Sequence, residues 1–412
     1  MDKKPEKLVP EVRFKGFTDD WEQHKLGDIT IPIKTYPYTR KYETKNITKF
    51  KYIDYGDIHT GKAKKINEPS KLPSITKGNY STLRNGDVVV ADASEDYKGI
   101  ADAAILLSTG AFSIIAGLHT IAFRPNRKLV FPMFIYYNLQ TSRFKHYGYH
   151  VGTGLKVFGI SSNLFFDYSA FHPSLIEQQE ISKLIESLEN LLSLQQRKLE
   201  QLKQLKKALL QQLFVEKNSK HPILRFKNFN GDWEERKLSD IANYRNGKAH
   251  EQYIDMNGIY TVVNSKFIST NGKVKKFSNE PIELLKKGEI AFVLSDVPNG
   301  KALAKAYLID SDNKYSLNQR IAGISPSSDI NSYFLYVLMN RNRYFLKFDD
   351  GVGQTNLSKK DIEEFKENYP LFDEQQKIAN LFSQIQTLIS LQQNKHTQLI
   401  ALKKYLLQKL FI

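Results

Sequence analysis

The chain has 412 residues, of which 60 are lysine or arginine and 44 are aspartate or glutamate, so its formal net charge is +16. A basic excess of this size favours a polyanionic partner such as nucleic acid, because lysine and arginine gain affinity by releasing counterions from phosphates. No cysteine occurs, which excludes disulfide bonds, thiolate metal sites and a cysteine nucleophile.

The chain begins with a polar segment. Residues 1–11 lack the apolar core of a signal peptide. The most apolar stretch, residues 129–139, contains Pro132 and is far shorter than a membrane span. Together with the absence of cysteine, which suits a reducing compartment, these features lead us to expect a cytoplasmic protein.

A repeat opens each half of the chain. Residues 10–29 read PEVRFKGFTDDWEQHKLGDI, and residues 222–241 read PILRFKNFNGDWEERKLSDI. A second repeat closes each half, because residues 173–214 and 370–411 share EQQ, SLQQ and LKK sequences. An internal duplication of this kind indicates two structurally equivalent halves.

The regions between the repeated segments have a mixed α/β pattern. Short β-rich runs at residues 87–91 and 289–294 are bounded by glycine, asparagine and aspartate turns. Helical segments around residues 131–144 and 333–345 carry aromatic side chains, which we expect to form core and not to contact a ligand. The two regions otherwise share only this skeleton.

The segments that close the two halves carry heptads. Apolar residues recur there at seven-residue spacing, which is typical of a coiled-coil helix. The two series are Ile181, Leu188, Gln195, Leu202 and Leu209, and Ile378, Ile385, Gln392, Leu399 and Leu406. We expect these residues to form the interface of an antiparallel helix pair. A helix of roughly 38 residues measures about 57 Å.

Two details of these helices concern the start of one and the middle of both. Ser174 and Glu177 fit a capping box at the start of the first helix. Gln195 and Gln392 interrupt the apolar series at the same step. Either the two amides meet and fix the register of the pair, or they lie exposed at the edge of the seam.

The predicted fold class is therefore α+β, with two mixed α/β domains separated by an antiparallel pair of long coiled-coil helices and related by a pseudo-two-fold internal repeat. The expected boundaries are 1–172 for the first α/β domain, 173–216 for the central helix, 217–369 for the second α/β domain and 370–412 for the distal helix. Helices of this length would hold the two domains more than one DNA turn of about 34 Å apart.

This layout resembles the specificity subunits of type I restriction–modification systems, in which two target-recognition domains alternate with two helical regions. The resemblance rests on the RFK…DWE…KLxDI segment of each half, the Gly-Asp-Val and Gly-Glu-Ile strands, and the EQQ helix starts. It rests further on the glycine loop GVGQTNLS at residues 351–358, from which the first half departs after Gly154.

The resemblance implies the partners of the chain. Each target-recognition domain would read one half of a bipartite double-stranded DNA target. Two methyltransferase subunits would bind the helices, and restriction/translocase subunits would join the assembly. S-adenosylmethionine, ATP and magnesium would be bound by those partners, with no cofactor on this chain.

Basic and aromatic residues indicate which segments contact the DNA backbone. Lysine and arginine position a protein on phosphates, and tyrosine can hydrogen-bond a phosphate or pack on a sugar. The candidates are Lys34, Tyr36, Arg40, Lys41, Tyr42 and Lys45 in the first domain, and Arg245, Lys248 and Lys273 in the second. The alternative is a solvated basic loop on each domain.

Loops that follow the matched strands are candidates for base reading, which requires hydrogen-bonding side chains at the base edges. They contribute Ser94, Tyr97 and Lys98 in the first domain, and Ser295 and Asn299 in the second. Gln354 and Asn356 of the glycine loop either hydrogen-bond bases or cap the turn. Ordinary surface turns are the alternative for all of these residues.

Catalytic motifs are missing from the sequence. Each of the four Gly-Lys pairs is followed by alanine or valine, so no Gly-x4-Gly-Lys-Ser/Thr phosphate loop occurs. The Asn/Asp-Pro-Pro-Tyr/Phe motif of amino-group methyltransferases does not occur, and the nine histidines lack zinc-ligand spacing. We therefore expect a non-catalytic DNA-reading subunit. The alternatives are a coiled-coil adaptor and a self-contained DNA-modifying enzyme.

Overall fold

The computed structural model divides into two compact units. The residues that the structure describes are 9–95, 99–154, 157–215 and 219–412. Unit 1 consists of Met1–Gln196 and Asn394–Ile412, and unit 2 consists of Arg197–Gln393. Each unit therefore contains one α/β region and one part of each long helix.

Unit 1 combines a mixed β-sheet with short helices and the start of a long helix. Its strands are β1 (Glu22–Lys25), β2 (Thr30–Ile33), β3 (Phe50–Ile53), β4 (Lys65–Ile66), β5 (Val88–Ala91), β6 (Ala93–Ser94), β7 (Ala103–Leu106), β8 (Ser113–Ala116), β9 (Thr120–Pro125), β10 (Phe158–Gly159) and β11 (Ser169–His172). Its helices are α1 (Leu26–Ile29), α2 (Tyr55–His59), α3 (Pro132–Asn138), α4 (Ser142–Val151), α5 (Ser162–Phe166) and the first part of α6 (Leu175–Gln212). The sheet order is β2-β9-β5-β7-β4, with β1 paired to β11, β3 to β8 and β6 to β10.

Unit 2 repeats this plan. Its strands are β12 (Glu234–Lys237), β13 (Ala242–Asn246), β14 (Tyr260–Val263), β15 (Phe277–Ser278), β16 (Ile290–Val293), β17 (Ser295–Asp296), β18 (Ala306–Leu308), β19 (Tyr315–Leu317), β20 (Ile321–Pro326), β21 (Thr355–Asn356) and β22 (Lys366–Tyr369). Its helices are α7 (Leu238–Ile241), α8 (Ser265–Ser269), α9 (Ser332–Met339), α10 (Arg343–Leu346), α11 (Lys359–Glu363) and the first part of α12 (Phe372–Lys409). The sheet order is β13-β20-β16-β18, with β12 paired to β22, β15 and β19 to β14, and β17 to β21.

The two α/β regions share most of their strand pairings, although β4 pairs with β7 in unit 1 whereas β15 pairs with β14 in unit 2. Strands β5 and β16 are buried along their whole length, as expected for strands covered on both faces. Ala101 and Ala304, which precede β7 and β18, both adopt the left-handed conformation, with φ of 52° and 56°. Because this conformation is costly for a residue other than glycine, its recurrence indicates that both halves keep the same loop path. The predicted mixed α/β fold is confirmed.

Inside each unit the long helices run antiparallel. In unit 1, Ile181 and Ile185 near the start of α6 share a core with Leu410 and Phe411, which follow the end of α12. In unit 2, Leu199 of α6 packs with residues from the first half of α12, including Ile385 and Ile389. Among the described residues, no helix combines the length and the apolar character needed to cross a membrane.

The heptad positions differ in burial. The predicted interface residues Ile181, Leu188, Ile378, Ile385 and Gln392 are buried, and Gln195, Leu202, Leu209, Leu399 and Leu406 are half-buried. The Oε1 atom of Gln195 and the Nε2 atom of Gln392 are buried without a hydrogen-bond partner in the part of the chain that the structure describes. The alternative that these amides lie exposed at the edge of the seam is therefore wrong for these two atoms. Contact between the Gln195 and Gln392 amides stays a prediction.

Each unit contains an aromatic cluster that joins its α/β region to the residues after the end of a long helix. In unit 1, Phe411 stacks on Phe134 with ring centroids 5.0 Å apart, and Trp21 meets Phe134 edge-on at 6.0 Å. The equivalent residues of unit 2 are Phe214, Phe334 and Trp233. The residue that completes each cluster therefore follows the end of the long helix from the other half of the sequence.

An arginine–glutamate pair ties each opening repeat to the start of a long helix. Arg13 donates hydrogen bonds from Nε and Nη2 to the two carboxylate oxygens of Glu177, at 2.8 Å and 2.9 Å, and the Glu177 side chain is only 1% exposed. Arg225 binds Glu374 in the same way, at 2.9 Å and 2.8 Å. A buried carboxylate needs such a partner because burying an isolated charge is costly. This pair explains why the RFK and EQQ sequences are both repeated.

The capping box predicted at the start of α6 forms only in part. The Ser174 hydroxyl accepts a hydrogen bond from the Glu177 backbone N–H at 3.4 Å. The Glu177 carboxylate, which would complete the box, is instead held by Arg13 through both of its oxygens. The expectation was wrong on this point because an ion pair with a distant residue competes for the same carboxylate.

The glutamine after each buried glutamate hydrogen-bonds backbone groups of the adjoining α/β region. Gln178 donates from Nε2 to the carbonyls of Pro173 and Leu129, at 2.8 Å and 3.1 Å, and accepts the Phe131 N–H at 2.8 Å. Gln375 makes the same three bonds with Pro370, Asp329 and Asn331. The amide supplies the hydrogen bonds that buried backbone groups require.

A second buried carboxylate links the helices of unit 1 to its sheet. Lys403 of α12 and Lys65 of β4 bind Glu189 of α6 at 2.6 Å and 2.5 Å, and the Tyr137 hydroxyl donates to it at 3.0 Å. Burial alone would raise the pKa of Glu189, but the hydrogen bonds from Lys403 and Lys65 outweigh burial and hold the pKa below its ordinary value.

The equivalent pair in unit 2 lacks the carboxylate. Lys206, which matches Lys403, donates from Nζ to the side-chain oxygen of Gln386 at 2.7 Å, and Gln386 matches Glu189. Burial lowers the pKa of Lys206, as expected for an ammonium group whose partner is an amide and not a carboxylate.

Replacing Arg13 with alanine should lower the free energy of unfolding of unit 1 by about 3 kcal/mol, because it leaves the Glu177 carboxylate buried without its partner. Urea unfolding followed by tryptophan fluorescence measures this loss, in a Trp233→Phe background where Trp21 reports on unit 1. The control is Lys15→Ala at a nearby exposed lysine, for which we expect a change of about 0.5 kcal/mol or less. Equal effects of the two substitutions would contradict the role of the pair.

Gln386→Glu should stabilise unit 2 by about 1 kcal/mol at neutral pH, because it gives the Lys206 ammonium group a negatively charged partner in place of a neutral amide. The new carboxylate would have a lowered pKa in the folded state. Its contribution should therefore be present above the ordinary glutamate pKa and be lost as the pH falls through the lowered value. Thermal unfolding as a function of pH tests this, with Gln398→Glu at an exposed position as the control. A gain that persists at acid pH, or no gain, would refute the charge argument.

Candidate nucleic-acid interface

In unit 2, the loops predicted for base reading lie side by side. Strand β17 pairs with β21, which places Ser295 opposite Asn356, and Gln354 donates from Nε2 to the Ser295 hydroxyl at 2.7 Å. Ser295 is buried, whereas Asn299, Gln354 and Asn356 are exposed. Residues that are up to 61 positions apart in the sequence are thus brought to one surface.

Aspartates hold these two loops in shape. Asp296 accepts hydrogen bonds from backbone N–H groups of its own loop, and Asp350 does the same in the glycine loop. These backbone bonds hold the pKa of Asp350 below its ordinary value. Asp349 accepts the Gly351 N–H at 3.1 Å, and Asn299 donates from Nδ2 to the Gly351 carbonyl at 3.4 Å. The two loops therefore form one connected surface.

Unit 1 has the same loop pairing at the same point of its sheet. Strand β6 pairs with β10, which places Ser94 opposite Phe158. The glycine segment around Gly154 therefore corresponds to the glycine loop of unit 2, although the two sequences diverge. Ser94 is buried, and Tyr97 and Lys98 lie outside the described residues.

The basic segment of unit 1 runs from the end of β2 towards β3. Its exposed candidates are Lys34, Arg40, Lys41, Tyr42 and Lys45. Tyr36 is half-buried, because its hydroxyl accepts the Ser81 N–H at 2.6 Å and its ring meets Tyr80 edge-on at 5.2 Å. The cations of this segment thus lie at the surface, and Tyr36 has a structural role that the sequence did not indicate.

The basic candidates of unit 2 differ from one another. Arg245 donates from Nη2 to Glu289 at 2.8 Å, and its Nε lies 3.1 Å from Glu283. The hydrogen bond to Glu289 raises the pKa of Arg245. Lys248 is exposed but pairs with Glu283 at 3.0 Å, and Lys273 is exposed. The Arg245 guanidinium is therefore committed to the sheet, and its contact with DNA stays a prediction.

The acid bound by Arg245 has an equivalent in unit 1 that sequence reasoning missed. Asp87 follows the glycine before β5, and it binds Arg124 through both oxygens at 2.8 Å and 2.7 Å. The arginine comes from β9 in unit 1 and from β13 in unit 2. Because the arginine is not at a repeated position, comparison of the two halves could not reveal the pair.

A polar cluster at the base of the unit 1 loop was also missed. The Nε2 atom of His59, at the end of α2, lies 2.8 Å from the Ala93 carbonyl, and its Nδ1 lies 3.3 Å from the Asp102 carboxylate. Lys145 of α4 donates to Asp102 and to the Ile100 carbonyl, both at 2.7 Å. These residues are far apart in sequence and are not repeated in the second half, so neither a motif nor the duplication signals them.

The chemistry of this surface is that of hydrogen bonding and charge. Exposed amides such as Asn299 and Gln354 can donate to and accept from base edges, and the exposed lysines can neutralise phosphates. Within the described ranges, no three histidine, aspartate or glutamate side chains are grouped so as to hold a metal ion. The surface is thus suited to binding a polyanion with hydrogen-bonding edges.

Comparison with known proteins identifies relatives of the whole chain. Residues 230–401 match the family model of the type I restriction modification DNA specificity domain. The type I restriction enzyme MjaVIII specificity subunit of Methanocaldococcus jannaschii is 22% identical over 410 residues, covering 95% of this chain and 92% of that protein. The putative MjaX specificity subunit of the same organism is 20% identical, covering 95% and 93%.

Solved structures share the fold. The S subunit of a type I restriction–modification system from M. genitalium superposes with a TM-score of 0.63 at 15% identity, covering 98% of this chain and 99% of that one. A chain from a type I R-M system, solved to explain complex assembly and conformational transition, gives a TM-score of 0.56 at 15% identity, covering 95% and 97%. Residues 230–401 therefore match the specificity-domain family of type I restriction–modification systems, and the whole chain shares the fold of an S subunit, in line with the resemblance that its internal repeats carry.

Proposed function

We propose that this chain is the DNA-sequence-specificity subunit of a type I restriction–modification complex, and that units 1 and 2 each read one half of a bipartite double-stranded target. The observation that carries the proposal is the duplication of one loop pair, β6–β10 and β17–β21, on two α/β units with different loop sequences. Two readers with one architecture and different surfaces suit a target with two different half-sites, because side chains at base edges carry the sequence information.

The residues divide between positioning and reading. Exposed lysines and arginines of unit 1, with Lys273 of unit 2, are proposed to contact phosphates. Asn299, Gln354 and Asn356 are proposed to contact base edges, with Ser295 holding Gln354 in place. The formal charge of +16 supports phosphate contact, since the sequence-independent part of DNA affinity comes from neutralised phosphates.

Catalysis belongs to the partner subunits in this proposal. Specificity subunits of type I systems are non-catalytic and carry no cofactor of their own. We assign methyl transfer from S-adenosylmethionine to two methyltransferase subunits. ATP- and magnesium-dependent translocation and cleavage are assigned to restriction subunits.

Exposed leucines on the long helices support two equivalent docking surfaces for the methyltransferase subunits. In unit 1, Leu194 of α6 is 57% exposed and Leu402 of α12 is 42% exposed. The matching residues of unit 2 are Leu391 and Leu205, which are 61% and 48% exposed. The same pair of apolar side chains in both units suits two copies of one partner.

Exchanging residues 242–365 for the same region of a relative should change one half of the recognised motif and leave the other half intact. This segment lies between α7 and β22, so the arginine–glutamate pair is preserved, as are Phe214 and Trp233 of the aromatic cluster, whereas the exchanged segment must supply the residue at Phe334. Methylation sequencing of cells that express the chimera and the methyltransferase subunit provides the readout. The matched control exchanges residues 30–168 and should change only the other half. A folded, assembled chimera that altered both half-sites would refute the assignment of one unit to one half-site.

Leu194→Glu combined with Leu402→Glu should reduce the methyltransferase subunits bound per chain from two to one, because it places charges in one of the two apolar surfaces. Native mass spectrometry of the reconstituted complex measures the stoichiometry. Leu391→Glu with Leu205→Glu should have the same effect at the other surface, and Ser193→Glu at a neighbouring exposed residue should have none. Retention of both subunits by the folded double variant would exclude this surface.

A further inference from the structure

Unit 1 contains a cleft beside helix α2. The cleft has a volume of about 550 Å³, and it is lined by Asp57 of α2 and by residues between Lys62 and Pro73. All of these residues lie within the range 9–95, which the structure describes. A volume of this size is within the range of small-molecule sites, about 300–1,000 Å³.

A buried carboxylate lines this cleft. Asp57 is only 8% exposed, and among the described residues its side chain has no hydrogen-bond partner and no ion pair. The neighbouring Asp54, by contrast, caps α2 by accepting the Gly56 N–H at 2.8 Å. Burial raises the pKa of Asp57, and the charge of Asp54 adds to this effect. An ionised carboxylate can only accept hydrogen bonds, and burying one without donors is costly. A ligand that brings N–H donors into the cleft would remove this cost.

The cations around the cleft restrict the kind of donor. Lys65 and Lys71 are each paired with a glutamate at 2.5 Å. Lys62 is exposed and has no ion pair within the part of the chain that the structure describes. The charges of Lys62 and Arg40 both act on Asp57 and oppose the rise of its pKa. These two charges offset the attraction of Asp57 for a cationic ligand. They favour a ligand that combines a neutral N–H donor with an anionic group.

The rest of the wall includes apolar side chains. Ile66 and Leu72 are buried, and Pro73 is half-buried. Apolar side chains of this kind can pack against the face of a flat ring, while polar groups orient its edge. The cleft therefore offers an apolar wall, an acceptor and a free cation to one ligand.

We propose that this cleft binds a nucleotide whose base has N–H donors on its pairing edge, with Asp57 accepting from the base and Lys62 binding the phosphate. Guanine fits best, because it presents two neighbouring N–H donors to the two oxygens of one carboxylate. Uracil presents one N–H between two carbonyls, which a carboxylate repels. The nucleotide is either free or part of DNA whose base has left the stack. The inference goes beyond the proposed function and does not depend on the assignment of half-sites.

Unit 2 has no acid at the matching position. Phe267 is the third residue of α8, as Asp57 is the third residue of α2, and both helices begin after a residue whose side chain caps them. Phe267 is 1% exposed, and its ring meets that of Tyr307 with centroids 4.8 Å apart. An aromatic side chain takes the place of the carboxylate, so the proposed site is confined to unit 1.

Binding of free nucleotides tests the role of the acid. Isothermal titration calorimetry of the full chain, without DNA or partner subunits, gives the Kd values of GMP and UMP. The value for UMP should exceed that for GMP by about tenfold or more, as hydrogen bonds to base edges discriminate to this extent. Asp57→Asn should bring the ratio close to unity, because the amide loses the charge and one of the two acceptor atoms. The control is Asp28→Asn, at an exposed aspartate in the first turn of α1, which should keep the ratio.

A second variant tests the phosphate contact at the surface of the fold. GMP should bind about threefold more tightly than guanosine, the modest gain expected for an exposed ion pair. Lys62→Gln should remove this preference and keep the discrimination between GMP and UMP. Lys77→Gln, at an exposed lysine that does not line the cleft, should keep both.

DNA distinguishes the two sources of the nucleotide. The full chain, assembled with its methyltransferase subunits, is saturated with a duplex that carries the motif found by methylation sequencing and is then titrated with GMP. If a base of the DNA occupies the cleft, the duplex should abolish the part of GMP binding that depends on Asp57, and Asp57→Asn should weaken binding of the duplex. If the ligand is a free nucleotide, this part should persist beside the DNA. Either result supports the site.

Other outcomes contradict it. Equal Kd values of GMP and UMP for the unaltered chain, or discrimination that survives in the folded Asp57→Asn variant, would exclude the site. A preference for GMP over guanosine that Lys62→Gln retains would exclude the phosphate contact. These measurements use free nucleotides, whereas the bipartite motif is read by methylation sequencing, so the inference and the proposed function can fail separately.

Discussion

Burial of one carboxylate at the start of each long helix is the constraint on which both units depend. Glu177 and Glu374 are almost completely removed from solvent, and Arg13 and Arg225 neutralise them through both oxygens. Each arginine belongs to the segment that opens an α/β region, and each glutamate belongs to the helix that follows it. The two ends of the region are therefore held together by a contact that is costly to break. What lies between these ends is free to vary as long as it folds back to the same place.

Because the ends are held, the two halves keep similar backbone paths but differ in the side chains that stabilise them. The acid after the glycine before the central strand is bound by Arg124 in unit 1 and by Arg245 in unit 2, from different strands. Beside the loop after that strand, the His59 ring contacts Ala93 and Asp102 in unit 1, whereas the Asp296 carboxylate accepts backbone N–H groups in unit 2. Even so, a residue in the left-handed backbone conformation, Ala101 in unit 1 and Ala304 in unit 2, recurs in both loops. Backbone path is thus a stricter requirement in this fold than the identity of the side chains that secure it.

The features that could be predicted from the sequence are those with a period or a repeat. Heptad spacing located both long helices, and the duplication located the matched strands and the loops that the structure brings together in unit 2. The roles of Tyr36, Arg245 and His59 could not be predicted, because each depends on partners that are distant in sequence and not repeated. A basic or aromatic residue in a loop looks the same in a sequence whether its side chain reaches solvent or a buried acceptor. The partial capping box at Glu177 is a further example, since a local motif gave way to a long-range ion pair.

The division of the chain also sets an order in which the units can be completed during synthesis. Unit 2 is continuous, from Arg197 to Gln393, so all of its residues are translated before the last part of unit 1. Unit 1 is discontinuous, and its aromatic cluster lacks Phe411 until Asn394–Ile412 has been translated. The nascent first half therefore carries Trp21 and Phe134 with part of their apolar surface uncovered while the second half is built, the kind of surface that chaperones recognise. In this architecture the half that is translated first is the half that is finished last.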